Sequence, residues 1–385
     1  MVEAVRRGSS MREVARKFQV SRSHVQKWVK RAQGNSLGQV CWADRSRAPH
    51  HVANRTAPDL ELAILECRKM LKETSALGFY GAEAIHESMS QICFPEQLPC
   101  VRTIDRILQR HGALDGGRRH RHQAPPSGWY LPEVALGRAE LESFDIIEGL
   151  VIEGHGEVEV FTGKALWGPH VAAWPMPSVS AKVAQEKLLQ HWRMHGLPSF
   201  AQFDNDTRFQ GGHNHPDVVG RIVRICLSLG ITPVFAPPHE SGFQAVIEHF
   251  NGLWQQKVWD RFHHLNLAAL EKRSSQFTEA YYRRLARQRE AAPARRRFPT
   301  AWRANLQTEP MGQMIYLRRC DAKGEAFFLG QRFSIAPQFA FRLIRCEVHL
   351  DEQEIRIFRL RRREPTDQPL IKKIKYNRPR RGFRE

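Results

Sequence analysis

The chain has 385 residues, 42% of them hydrophobic, which is ordinary for packed folds but long for a single domain. Lysine and arginine outnumber aspartate and glutamate by 59 to 40, giving a formal charge of +19 at pH 7. This excess favours a polyanionic partner, with nucleic acid ahead of an anionic membrane surface. No apolar run approaches the roughly 18 residues of a spanning helix, and the first residues lack a signal-peptide pattern. A cytoplasmic protein is therefore expected, and the scattered cysteines offer no zinc spacing.

Residues 1–35 predict two short amphipathic helices joined by a tight turn. Apolar residues recur at helical spacing on both sides of Gln19, and Ser21 is placed to cap the second helix. The pattern resembles a helix-turn-helix, although the turn position often filled by Gly holds Gln19. A plain surface helix pair is the alternative. The second helix exposes side chains able to reach base edges and phosphates, namely Arg22, Ser23, His24, Gln26, Lys27 and Lys30.

Residues 58–115 predict three more helices and a second helical DNA-binding domain. The segments before and after this domain are rich in Gly, Pro and basic residues. They are predicted to be linkers that can follow a phosphate backbone.

Residues 138–290 show the element order β-β-β-α-β-α-β-α, and this segment contains the candidate chemistry. A right-handed crossover places the first strand beside the strand that follows the first helix, so Asp145 should lie next to Asp204. Neighbouring carboxylates repel each other, and the usual remedies are a shared proton or a divalent cation. Glu248, in the helix after the last strand, can reach the same pocket.

Residues 310–362 contain short alternating strands, which predict a small β-barrel or sandwich. Residues 363–385 form a basic tail that is expected to be flexible and to bind phosphate. The predicted fold class is multidomain α/β, with helix-turn-helix domains, an α/β core and a small C-terminal β-barrel.

The stretches SFDII at Asp145, FDND at Asp204 and IEHFN at Glu248 occur in this order on a strand, a strand end and a helix. In this arrangement they resemble the catalytic core of integrase-type DDE transposases, which has a ribonuclease-H-like fold. The group includes bacterial insertion-sequence transposases and retroviral integrases. The flanking domains also match this layout, so the resemblance covers nearly the whole chain.

The resemblance implies that Asp145, Asp204 and Glu248 hold two Mg²⁺ or Mn²⁺ ions ~4 Å apart. Water and then a DNA 3′-hydroxyl would be the nucleophiles. Asn251 and Gln255 follow Glu248 by three and seven residues, so they should share its helix face and contact DNA near the cut.

Asp206 stands where the family usually has Gly, and two roles are open for it. It is either a partner at the edge of the metal site or a turn residue facing solvent.

The expected function is that of a transposase acting on double-stranded DNA. It would bind the ends of a mobile element, cut and join them to target DNA, and work as a homo-oligomer on the nucleoid with no membrane partner. The alternatives are a catalytically silent DNA-binding relative or regulator, and a nuclease that cuts without joining.

Overall fold

The structure is a computed structural model that describes residues 1–44, 56–92, 98–114, 126–212, 216–240, 242–286, 292–379 and 383. The chain divides into two compact units, Met1–Pro58 and Asp59–Glu385. Most of the two predicted linkers lies outside the described residues. Within the described part of the chain, no helix is both long enough and apolar enough to cross a membrane.

The first unit contains the predicted helix pair. Its helices are α1 Val2–Arg6, α2 Met11–Lys17 and α3 Arg22–Ala32. Ser21 caps α3 by accepting the backbone N–H of His24 at 3.2 Å, as predicted. Gln19 adopts a φ of 51°, the left-handed region that favours Gly. The turn thus lies where the sequence places it, with a non-glycine residue at a cost of roughly 1–2 kcal/mol.

The second unit begins with the three predicted helices α4 Pro58–Thr74, α5 Ala82–Met89 and α6 Val101–Arg110. They pack around a small apolar cluster whose central members, Ile64, Ile85, Ile104, Ile107 and Leu108, are fully buried. Ile104, Ile107 and Leu108 lie on one face of α6 as their helical spacing predicts.

The core follows the predicted order, and three further helices, α7, α9 and α12, are added to it. Its strands are β1 Leu141–Ile152, β2 Gly156–Ala165, β3 Val171–Met176, β4 Phe200–Phe203 and β5 Thr232–Phe235. Its helices are α7 Pro132–Ala135, α8 Ala181–His195, α9 Thr207–Gln210, α10 Arg221–Ser228, α11 Ala245–Trp254 and α12 Leu267–Arg284. After α11 the chain continues as a π-helical turn, Gln255–Trp259.

The five core strands lie in the order β3-β2-β1-β4-β5. The first three strands are antiparallel, while β4 runs parallel to both β1 and β5. On one face, Phe144 and Phe203 belong to a core with α8 and α10, and on the other, Ile147 packs with α11 and α12. Because side chains alternate along a strand, Asp145 faces away from Phe144 and toward the side of α11.

The C-terminal strands do not form a sheet of their own, so the expected separate barrel is not found. The strands are β6 Gln313–Arg319, β7 Glu325–Phe328, β8 Gln331–Ser334, β9 Leu343–His349, β10 Glu354–Arg359 and β11 Leu370–Lys375. Apart from the β7–β8 pair, they extend the core into a nine-stranded mixed sheet. The junction is the parallel pairing of Val234 with Ile315 and of Phe235 with Tyr316. This pairing satisfies backbone groups that β5 would otherwise expose as an edge strand.

The expectation of a flexible basic tail is wrong for residues 370–375. They form β11, which pairs antiparallel with β10 from Glu354 to Phe358. Ladder hydrogen bonds with β10 therefore order this lysine-rich segment.

Glu142 on β1 is a fully buried carboxylate that anchors a later segment of the chain. It accepts hydrogen bonds from Arg295 at 2.7 Å and Trp192 at 3.1 Å, and its Oε1 lies 2.8 Å from His191 Nε2. Burial opposes its ionisation, yet the Arg295 guanidinium and the contact with His191 hold the pKa of Glu142 well below its usual range. The ion pair between Glu142 and Arg295 thus attaches the segment after α12 to the centre of the sheet.

We expect Arg295→Met to lower the free energy of unfolding of the second unit by about 3–5 kcal/mol, because it leaves the Glu142 carboxylate buried without its cation. Denaturant unfolding followed by tryptophan fluorescence measures the change. Arg297→Met, at an exposed position, is the control and should shift stability by less than about 0.5 kcal/mol. Equal, small effects of both substitutions would contradict this role of the buried pair.

Candidate active site

Asp145 and Asp204 lie side by side in the middle of the sheet. Ser143 of β1 is paired with Gln202 of β4, and each aspartate lies two residues further along its strand direction. Neighbouring strands are about 4.8 Å apart, and residues two apart point to the same face. The predicted adjacency is therefore confirmed by the register. Both side chains are half-buried.

Hydrogen bonds fix the orientation of the Asp145 carboxylate. Its Oδ1 accepts the backbone N–H of Ile146 at 2.9 Å, and its Oδ2 accepts the side-chain amide of Asn251 at 2.8 Å. The hydroxyl of Thr162, on β2, lies 2.8 Å from Asn251 Oδ1 and 3.0 Å from the backbone oxygen of Asp145. Three elements, β1, β2 and α11, thus converge on one carboxylate.

The electrostatics around this pair disfavour two negative charges. Burial raises the pKa of Asp145 to about 6, and the charges of Asp204 and Glu248 add to the rise while the bonds from Ile146 and Asn251 oppose it. Burial also raises the pKa of Asp204, against the N–H of Asp206 that donates to it at 3.0 Å. A cation placed between the two carboxylates would relieve this repulsion.

Glu248 lies in the first turn of α11, where its side chain is exposed. Its negative charge contributes to the raised pKa of Asp145. Among the described residues, however, no group of three His, Cys, Asp or Glu side chains is placed to hold a metal ion. The structure thus brings two of the three predicted ligands together, and the role of Glu248 stays a prediction.

Asn251 and Gln255 take different positions from those expected of DNA contacts. The side chain of Asn251 is half-buried and engaged with Asp145 and Thr162. Gln255 is half-buried at the start of the π-helical turn. Their contacts with DNA stay predictions. The helical spacing of Asn251 from Glu248 points to this pocket, but no local signal in the sequence identifies Thr162 as its partner.

Asp206 is a turn residue in the structure. It caps α9 by accepting the backbone N–H of Arg208 at 2.7 Å, and it pairs with the Arg208 guanidinium at 2.6 Å. Arg208 also contacts Glu148 at 2.5 Å and Glu159 at 3.3 Å, so it ties the loop after Asp204 to β1 and β2. Sequence reasoning missed Arg208. The spacing of an N-cap aspartate two residues before an arginine is its only local signal.

The six predicted DNA-binding side chains of α3, from Arg22 to Lys30, are all exposed. Three of them already have partners. Ser23 Oγ lies 2.9 Å from Ser21 Oγ, Trp28 Nε1 donates to His24 Nε2 at 3.0 Å, and Lys27 Nζ lies 3.1 Å from Asp44. The exposure fits a nucleic-acid surface, while the individual DNA contacts stay predictions.

Comparison with known proteins gives one family match and several structural likenesses. Residues 1–39 match the family described as a homeodomain-like domain. The catalytic core domain of BIV integrase is 18% identical, with 36% of this chain and 81% of that chain covered and a TM-score of 0.27. The HTLV-2 integrase catalytic core domain in complex with magnesium, in dimeric form, is 12% identical, with 42% and 88% covered and a TM-score of 0.27. The simian T-cell lymphotropic virus intasome in complex with PP2A regulatory subunit B56 gamma is 14% identical, with 77% and 96% covered and a TM-score of 0.33.

A homeodomain-like domain precedes a core whose strand order is the one predicted from the element order.

In the absence of divalent cations, we expect the Asp145 carboxyl to take up a proton near pH 6, and Asp204→Asn to lower this pKa by removing the neighbouring charge. Glu248→Gln should lower it less, since its charge contributes less to the rise. A carboxyl-carbon NMR titration measures both effects. A pKa of Asp145 that is the same in Asp204→Asn as in the native protein would show that the two carboxylates do not interact.

Proposed function

We propose that this protein is a transposase, which binds the ends of a mobile DNA element and catalyses metal-dependent strand cleavage and strand transfer. The observation that carries the proposal is the pair Asp145 and Asp204, which the β1–β4 register sets side by side while burial and the charge of Asp204 raise the pKa of Asp145. A fold gains no stability from such a pair. A site that recruits a divalent cation does need it.

The donor set suits a hard cation such as Mg²⁺ or Mn²⁺, since carboxylate oxygens are the ligands these ions prefer. Asp145 and Asp204 would hold it, and the exposed Glu248 would complete the site for two ions by turning inward from α11. A bound ion would supply Lewis-acid activation of a phosphodiester and of the attacking oxygen.

The surrounding residues have separate tasks in this proposal. Asn251 and Thr162 keep the Asp145 carboxylate in one orientation, so the site needs little reorganisation when it is filled. Arg208 pairs with Asp206, Glu148 and Glu159 and offsets part of their negative charge beside the central pair.

DNA recognition is assigned to α3 and its six exposed polar residues, with Lys27 and Lys30 on phosphates and His24 and Gln26 on bases. The formal charge of +19 supports a polyanionic partner over the length of the chain. Joining two element ends requires that they be held together, so we assign a homo-oligomer working on nucleoid DNA in the cytoplasm.

A catalytically silent DNA-binding relative is the second candidate, and one observation favours it. Both oxygens of Asp145 already accept hydrogen bonds, and the described residues show no three-ligand metal group. In that function the core would serve as an assembly surface, and DNA binding would persist without cleavage.

Cleavage and joining of labelled DNA carrying the gene's flanking sequences separate these functions. We expect the native protein to cut and join in Mg²⁺, and Asp204→Asn and Glu248→Gln each to lower the cleavage rate roughly 100-fold or more at unchanged DNA affinity.

Asp206→Asn is a matched control, because it makes the same chemical change two residues away. Asn caps a helix as well as Asp does, and Arg208 keeps its contacts with Glu148 and Glu159, so cleavage should stay within about tenfold of native. Cutting without joining would identify a nuclease. Binding without cutting in every variant would identify the silent relative.

A further inference from the structure

An open cavity of about 1350 Å³ lies on the other flank of α11, between this helix and the helical domain formed by α4, α5 and α6. We call it the basic groove. Its basic lining residues are Arg68, Arg102, Arg106, His249, Lys257 and Arg284. Glu83 and Asp105 are the acids in its wall, so positive charge predominates.

Two of these cations are used by the fold. Arg68 donates to the backbone oxygen of Tyr80 at 2.7 Å. Arg284 of α12 pairs with Glu83 at 3.3 Å and Glu87 at 2.7 Å, which joins α12 to α5. The Arg284 contacts hold the two walls of the groove together.

Arg102 and Arg106 do not take part in contacts of this kind. They are exposed, lie one turn apart on α6, and make no hydrogen bond or ion pair with the residues that the structure describes. Like charges at this spacing destabilise a helix. Two unneutralised guanidinium groups that line a cavity are well suited to an anionic ligand with repeated charges, because guanidinium binds phosphate oxygens in pairs.

The aromatic residues of the groove favour phosphate over base contacts. Arg68 lies 4.8 Å from the ring centre of Tyr80, and Arg284 lies 5.0 Å from that of Phe79. Lys257 Nζ is 6.0 Å from Phe79 and 5.5 Å from Tyr80. Cations already cover these ring faces, so the rings position positive charge and are not free to stack on bases.

Helix α11 is the wall that the groove shares with the carboxylate pair. His249 and Leu253, four residues apart, line the groove, while Asn251 reaches Asp145 on the other side. A helix is about 10 Å across, so a strand lying in the groove passes within one or two nucleotides of Asp145.

We propose that the basic groove binds the phosphate backbone of the DNA strand next to the position that the carboxylates cut. Arg102 and Arg106 would be the principal contacts, with His249 and Lys257 on the opposite wall. This inference rests on the proposed function, since it places the DNA substrate relative to the same site.

The test is equilibrium binding of the full chain to end DNA without divalent cations, over a range of salt concentrations. Arg102→Ala/Arg106→Ala should weaken binding and reduce the slope of log K against log salt by about 2, which corresponds to two lost phosphate contacts. Arg102→Lys/Arg106→Lys should keep the slope near native, since it keeps both charges. Because both side chains are exposed and unbonded within the described residues, thermal unfolding should be unchanged.

Arg297→Ala/Arg303→Ala is the matched control, because it removes the same two charges from exposed positions outside the groove. It should leave the slope within about 0.5 of native. If the groove and control variants change the slope equally, DNA does not occupy the groove, and the effect is one of total charge.

Failure of this inference is distinct from failure of the proposed function. If Asp204→Asn loses cleavage while the groove variant keeps the native salt slope, only the proposal that DNA binds in the groove is contradicted. If the groove variant has a reduced salt slope but neither the native protein nor any variant cleaves DNA, DNA binding in the groove is supported and the transposase function is contradicted.

Discussion

The parallel pairing of β1 with β4 is the constraint on which the candidate site depends. This pairing sets Asp145 beside Asp204, which directly follows the last residue of β4, at the centre of the sheet. Packing of Phe144 against Phe203 on the opposite face, with stacked rings 5.6 Å apart, fixes the same register from below. The repulsion between the two acids is therefore built into the fold, and it turns the sheet centre into a place where a cation is favoured.

Other elements hold this pair without adding to its charge. Glu142, three residues before Asp145, is neutralised by Arg295 beneath the sheet. Arg208 plays the equivalent part above it, where three further acids would otherwise surround Asp204. Glu142 thus pairs with Arg295, and Asp206, Glu148 and Glu159 share Arg208, whereas Asp145 and Asp204 have no ion pair with Lys or Arg among the described residues.

Element order was predictable from the sequence, and so was the adjacency of Asp145 and Asp204, because a right-handed crossover leaves one arrangement for these strands. The cap at Ser21 and the buried face of α6 also follow from local spacing. The prediction of a separate C-terminal barrel was wrong. The pairing of β6 with β5 joins segments about 80 residues apart, and the alternation of apolar and polar residues alone does not identify a strand's partner. The contacts of Thr162 with Asn251 and of Arg208 with Glu159 are likewise tertiary, so no spacing along the chain reveals them.

The central claim is that the carboxylate pair binds a divalent cation. Anomalous diffraction at the manganese edge, from crystals of the native protein soaked in Mn²⁺, tests this directly. We predict a peak between the carboxylates of Asp145 and Asp204 that is absent from crystals of Asp204→Asn. Ordered carboxylates with no peak between them at millimolar Mn²⁺ would contradict the account.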